Sequence, residues 1–120
     1  FVYEPEPARD TSWNRGKFIV NGPAHCAACH APRNLLGGLS LESGMTGAAL
    51  PDGGTAPPLK PEALRAGGWT RANLITMLRT GVLPDGDGVG GSMSEVVHGG
   101  TSYLLTEHLE DIADYLLDPQ

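Results

Sequence analysis

The chain has 120 residues, a formal net charge of −6 and two cysteines. That is one domain's length, and the acidic balance speaks against nucleic acid as a partner. No apolar run approaches the roughly 20 residues of a membrane span. With 17 Gly, 10 Pro and only 6% aromatic residues, the chain is loop-rich and short of core, which calls for a disulfide, a metal or a large cofactor.

The start, "FVYEPEPARD", holds Pro5 and Pro7 among charges and reads as an arm or linker over residues 1–11, with a cofactor domain over 12–120. A first residue of Phe rather than Met is what a processed or excised product would show, and no signal peptide is visible. From Trp13 to Asn21 the sequence predicts a first helix, capped by Asp10, Thr11 or Ser12. Gly16 weakens it unless another backbone packs closely there. "GPAHCAACHAPRN" is short and turn-rich. Residues 35 to 59 carry a glycine at nearly every turn and read as a loop with at most a short hairpin.

"KPEALRAGG" predicts a short helix, with Pro61 in its first turn and Gly67 as its stop. "TRANLITMLRTG" predicts the clearest middle helix, capped by Thr70 and ended by Gly81, with Leu74, Met77 and Leu78 on one face. "VLPDGDGVGGSM" is a second glycine loop, and "SEVV" starts a short helical turn after it. The last helix is "TEHLEDIADYLL", with Thr106 as expected N-cap and Leu109, Ile112, Ala113 and Leu116 as its apolar stripe. The sum is a mostly helical domain, with two long glycine loops that must wrap around something.

The chemistry sits in "HCAACH", residues 25 to 30. Cys-Ala-Ala-Cys-His signals covalent haem attachment. Cys26 and Cys29 would add across the two vinyl groups, and His30 would be held under the iron as proximal ligand. A thioredoxin-type dithiol would need a β-α-β setting, and none precedes the motif. Structural zinc lacks a pair of histidines at His-x3–5-His spacing. A plain disulfide leaves the missing core unexplained.

"WNRGKFIVNGPAHCAACHAPRN", "APPL", "GGW", "NLITMLRTG", "GGSMSEVV" and "LEDIADYL" together resemble the class I c-type cytochromes over nearly the whole chain. The likeness is greatest to the haem domains in cytochrome subunits of membrane-bound bacterial dehydrogenases of the alcohol and gluconate type. The resemblance implies a small all-α fold, several helices and long Gly-rich loops wrapped around one haem c.

Opposite His30 a methionine is expected, because its soft thioether favours ferrous iron. Among the three methionines, Met77 lies on an apolar helix face and Met45 in the first glycine loop. Met93 follows "GVGGS", where the class I likeness places its ligand; His98 is the rival. An acceptor is expected for the other ring N–H of His30, and the resemblance implies that a proline carbonyl supplies it. The likeness assigns Pro57, with Pro58 as the alternative. Arg33, Trp69 and Arg79 are candidates for the haem propionates. Gly16 and Phe18 are expected to meet the last helix near Tyr115 and Leu116.

The resemblance implies single-electron transfer between a dehydrogenase-type donor and a respiratory acceptor, in the periplasm, with no catalytic residues of its own. A dehydrogenase subunit or another haem domain is the expected partner, and any membrane association would come through it. The surface around Ala27, Ala28 and Ala31 is the expected docking patch. A haem enzyme or gas sensor with an open iron site is the alternative.

Overall fold

A computed structural model of the chain describes residues 4–31, 45–50 and 54–118. Its frame is a crossing of the first and last helices, α1 (Thr11–Asn21) and α6 (Thr106–Leu117). Asp10 caps α1 by accepting from the Trp13 N–H at 2.9 Å. Trp13, Gly16 and Val20, three and four residues apart, form its buried face. They meet Leu109, Ile112, Tyr115 and Leu116 of α6, and the Trp13 and Tyr115 rings pack edge to face at 5.0 Å. Gly16 lies where the helices touch, but Phe18 does not share its face: it is 45% exposed.

Between these helices run α2 (Ala27–His30), the two-residue strands β1 (Ala48–Ala49) and β2 (Thr55–Ala56), then α3 (Pro61–Ala66), α4 (Arg71–Thr80) and α5 (Gly91–Gly99). A 3-10 turn, Thr101–Tyr103, leads into α6. The strands pair antiparallel, Ala48 opposite Ala56 and Ala49 opposite Thr55. The fold is all-α apart from this clasp, as the sequence predicts.

Local signals set most boundaries. Pro61 opens α3 and Gly67 follows its last residue. Thr70 and Asn73 form a reciprocal capping box at the start of α4, and Gly81 ends it at φ 80°. Two expectations are corrected. The "SEVV" turn is part of a nine-residue helix that begins in the glycine run, with Gly90 at the N-cap. Thr106 is the first residue of α6 rather than its cap; Leu105 takes that place, with no side-chain bond. The Thr106 hydroxyl instead accepts from Arg79 at 3.2 Å. Arg79 also donates to the Ser102 carbonyl at 2.7 Å, and Thr101 Oγ1 donates to Leu78 O at 2.6 Å. These bonds fasten the 3-10 turn to α4.

The first described residues are not a detached arm. Glu6 and Asn14 exchange hydrogen bonds, Lys17 donates to Glu4 O, and the Arg9 guanidinium lies 4.5 Å from the Trp13 ring centre. The helical body itself begins at Thr11. Asp111 is buried beneath α1 at 2% exposure. Arg15 donates to both its oxygens and Ser12 reaches it at 2.7 Å. Arg71 bridges Glu110 and Asp114 on the same helix. Glu110, Asp111 and Asp114 of α6 are thus tied to α1 or α4.

Candidate cofactor site

The chain leaves α1 at Gly22 and turns sharply. His25 takes φ 52°, unusual for a residue with a side chain, and the Cys26 N–H donates back to Val20 O at 3.1 Å. This turn delivers Cys26 to the start of α2, whose four residues end on His30. Cys26 and Ala27 pack against the main core cluster. Both cysteines are free and half-buried, with no disulfide between them.

His30 is fixed through both its backbone and its ring. Its carbonyl accepts from Gly47 N at 2.7 Å, and its Nδ1 lies 2.7 Å from Pro57 O. A carbonyl only accepts, so Nδ1 carries the proton. That leaves Nε2 as a bare lone pair, the tautomer a metal ligand needs. Burial pushes the imidazole below its ordinary value, while the Pro57 carbonyl pulls the other way.

The free thiols discriminate between the readings of the motif. Burial pushes the Cys26 thiol up to about 11. A thioredoxin-type nucleophile needs the opposite shift. Among the described residues no three of His, Cys, Asp and Glu converge as a metal cluster would require. Two unpaired thiols, a histidine with a free Nε2 and an apolar core beside Cys26 fit haem c. The cysteines would form the thioethers and His30 would bind the iron.

The core cluster on which Cys26 packs contains Met45, Leu64, Met77 and Val97, all buried. Met77 is a core residue, as its helix face predicts. Met45 is also core, at 5% exposure, and its carbonyl accepts from Leu59 N at 2.8 Å. Nothing adjacent to it in sequence reveals that bond. Met93 lies in the first turn of α5, half-buried against the same cluster as Cys26. It shares an inward face with Val97, four residues on and fully buried. His98 lies five residues from Met93 on the helix, so it faces elsewhere, and it is exposed. Its ring is placed near Gly81, the C-cap of α4. With α5 formed, Met93 and His98 are not interchangeable.

The remaining candidates divide. Trp69 packs half-buried on the core, and its backbone N–H donates to Leu64 O at 3.0 Å. Arg79 is engaged with Ser102 and Thr106, so only its remaining N–H groups are available to a carboxylate. Arg33 lies outside the described residues. Of the alanines expected at a docking patch, Ala31 is buried, Ala27 is half-buried and Ala28 is at the surface. Sequence reasoning missed Gly47, whose N–H holds the His30 carbonyl.

No family model matches the chain. It is similar to a nicotinate dehydrogenase subunit of Pseudomonas putida, with 37% identity over 79% of this chain and 8% of that protein. It is 39% identical to a diheme cytochrome c-type protein of Cereibacter sphaeroides, over 85% of this chain and 33% of that one. It is 34% identical to the cytochrome c subunit of the quinone alcohol dehydrogenase of Gluconacetobacter polyoxogenes, over 95% of this chain and 26% of that subunit. The chain spans about a third or less of the length of these curated relatives.

Proposed function

We propose that this chain, a member of the c-type cytochromes related to cytochrome c subunits of alcohol, fructose and gluconate dehydrogenases, carries one electron at a time through a single covalently bound haem. The donor would be a dehydrogenase and the acceptor a component of a respiratory chain. Haem c supplies an iron that cycles between ferric and ferrous states without forming bonds to substrate.

The observation that carries the reading is the His30 ring, with Nδ1–H given to Pro57 O at 2.7 Å and Nε2 left for iron. That bond orients the imidazole and raises its basicity as a ligand. Cys26 and Cys29 would be the attachment points, a reading supported by the turn through His25 and by the packing of Cys26 against the core. Met93 would be the second ligand to the iron, supported by the inward face it shares with buried Val97. Trp69, Arg79 and Arg33 are the candidates for the propionates.

A relative about two and a half times this chain's length is named a diheme protein, which is compatible with one haem per domain of this size. Thioether attachment in bacteria occurs outside the cytoplasm, so the chain is assigned to the periplasm. Among the described residues no helix is long and apolar enough to cross a membrane.

The test is the far-red spectrum of the ferric protein, followed by carbon monoxide added after reduction. A weak sulfur-to-iron band and no carbon monoxide binding are expected. Absence of the band together with ready carbon monoxide binding would overturn the carrier reading in favour of an open-site enzyme or sensor.

A further inference from the structure

The segment at residues 45–49 bonds both to the proposed iron ligand and to the residues that flank the carbonyl orienting it. Gly47 N–H donates to His30 O at 2.7 Å. On the other side Met45 O accepts from Leu59 N at 2.8 Å, and Ala48 pairs with Ala56. Pro57 lies between these two anchor points. Its carbonyl therefore reaches His30 Nδ1 from a segment whose position is set by the 45–49 strand.

Gly47 is the place where this arrangement admits no side chain. Its φ is +95°, a conformation that residues with a Cβ rarely adopt. A Cβ there would also lie 2.9 Å from Ala56 O, 3.2 Å from Pro58 N and 3.4 Å from Pro57 C. All three neighbours are backbone atoms and cannot rotate aside. A side chain at position 47 would push the 56–58 backbone away from His30.

We infer that Gly47 is a positioning residue for the axial ligand, holding the Pro57 carbonyl on His30 Nδ1 and so setting the reduction potential of the iron. The inference rests on the proposed haem ligation by His30. A carbonyl on Nδ1–H makes the imidazole a stronger donor to iron and favours the ferric state. Loosening the bond weakens the donor, and the potential rises. A general loosening that merely admits water has the opposite effect, because solvent stabilises the extra charge of ferric haem. The sign therefore separates positioning from plain structural support.

The experiment is redox titration of holo-protein, wild type against Gly47→Ala, with Ala49→Ser on the exposed side of the same hairpin as control. Wild-type protein must first show a low-spin spectrum with the far-red sulfur band; without them the ligation reading fails before Gly47 is tested. In Gly47→Ala the band is expected to persist, while the redox equilibrium shifts about tenfold toward the reduced state, about 59 mV for one electron. Ala49→Ser is expected to leave it unchanged. An unchanged or lowered potential in Gly47→Ala, loss of the sulfur band, or an equal shift in Ala49→Ser would overturn the inference.

Should Gly47→Ala fail to accumulate haem, hydrogen exchange on reduced wild-type protein decides. The Gly47 amide and the His30 Nδ1–H are expected to exchange slowly and together. A Gly47 amide exchanging at the rate of a free peptide, beside a protected Nδ1–H, would refute the coupling.

Discussion

Replacing Gly16 with alanine should destabilise the fold despite improving the helix. In an isolated helix the change is worth about 1 kcal/mol in favour of alanine. Here the added Cβ would lie 2.0 Å from Asp111 O and 2.7 Å from Tyr115 Cβ. Carbon atoms pack at about 3.5–4.0 Å, so α1 must retreat from α6 by more than roughly 1 Å. A radial gap of that size forfeits up to about half of each dispersion contact. The contacts affected are those of Trp13 and Val20 with Ile112, Tyr115 and Leu116. The retreat also draws Ser12 and Arg15 from Asp111, whose bonds of 2.7 and 2.8 Å serve a carboxylate that is 2% exposed. Overpacking costs up to about 3 kcal/mol. With the helix gain of about 1 kcal/mol subtracted, the net loss is about 2 kcal/mol.

The assay is guanidinium unfolding of ferric holo-protein, followed by far-ultraviolet circular dichroism and by the Soret band. The midpoint should fall with little change in m. Gly99→Ala is the matched control, since its Cβ would meet nothing within 4 Å. It should be neutral or stabilising by up to about 1 kcal/mol. A Gly16→Ala protein as stable as wild type would refute the argument that the α1–α6 crossing requires bare backbone at this point.

Met93→Ala should abolish the far-red sulfur band while His98→Ala leaves it intact, because the two side chains face different directions on α5; loss of the band in His98→Ala alone would contradict the assignment. Thr70→Ala removes half of the α4 capping box and should cost about 1 kcal/mol in the same denaturation assay, with helix α4 otherwise retained. Arg71 and Ser12 hold Asp114 below the ordinary carboxylate range, against burial, which acts the other way as the largest single influence. A lowered folded value means that the stabilisation is fully present above the unfolded value near 3.9 and is lost as pH falls through the folded one. Arg71→Ala should therefore lower stability by about 1 kcal/mol or less at neutral pH. The deficit should shrink on acidification below about pH 4, as followed by urea midpoints across pH; a deficit independent of pH would refute it.

The helices with explicit punctuation are legible in the sequence. Pro61 and Gly67 bracket α3, and Thr70 and Gly81 bracket α4. These residues act through their immediate neighbours, so sequence alone reveals them. α5 reads too short because its start lies in a glycine run and takes no side-chain cap; its stability comes from packing Met93 and Val97 inward. The burial of Asp111 is hidden because its partners, Ser12 and Arg15, are near the other end of the chain. Phe18 and Val20 are both apolar, and only the position of Gly16 in the crossing selects Val20 as the buried one.

At the site, Cys26, Cys29 and His30 announce themselves by spacing. The His30–Pro57 bond spans 27 residues, and the resemblance, not the spacing, points to it. Gly47 is one glycine among many in a loop. Its signal is a positive φ against the backbone of residues 56–58, which only a folded chain displays. Met45 likewise carries no local signal, because the bond from its carbonyl runs to Leu59.

The central claim is that one haem is covalently held by Cys26 and Cys29. The intact mass of the denatured protein, produced in a host that attaches haem to c-type cytochromes, tests it most directly. The expected mass is that of the chain plus one haem, reverting to the chain alone when both cysteines are replaced by alanine. A wild-type mass equal to the chain alone, or to the chain less the two hydrogens of a disulfide, would contradict it.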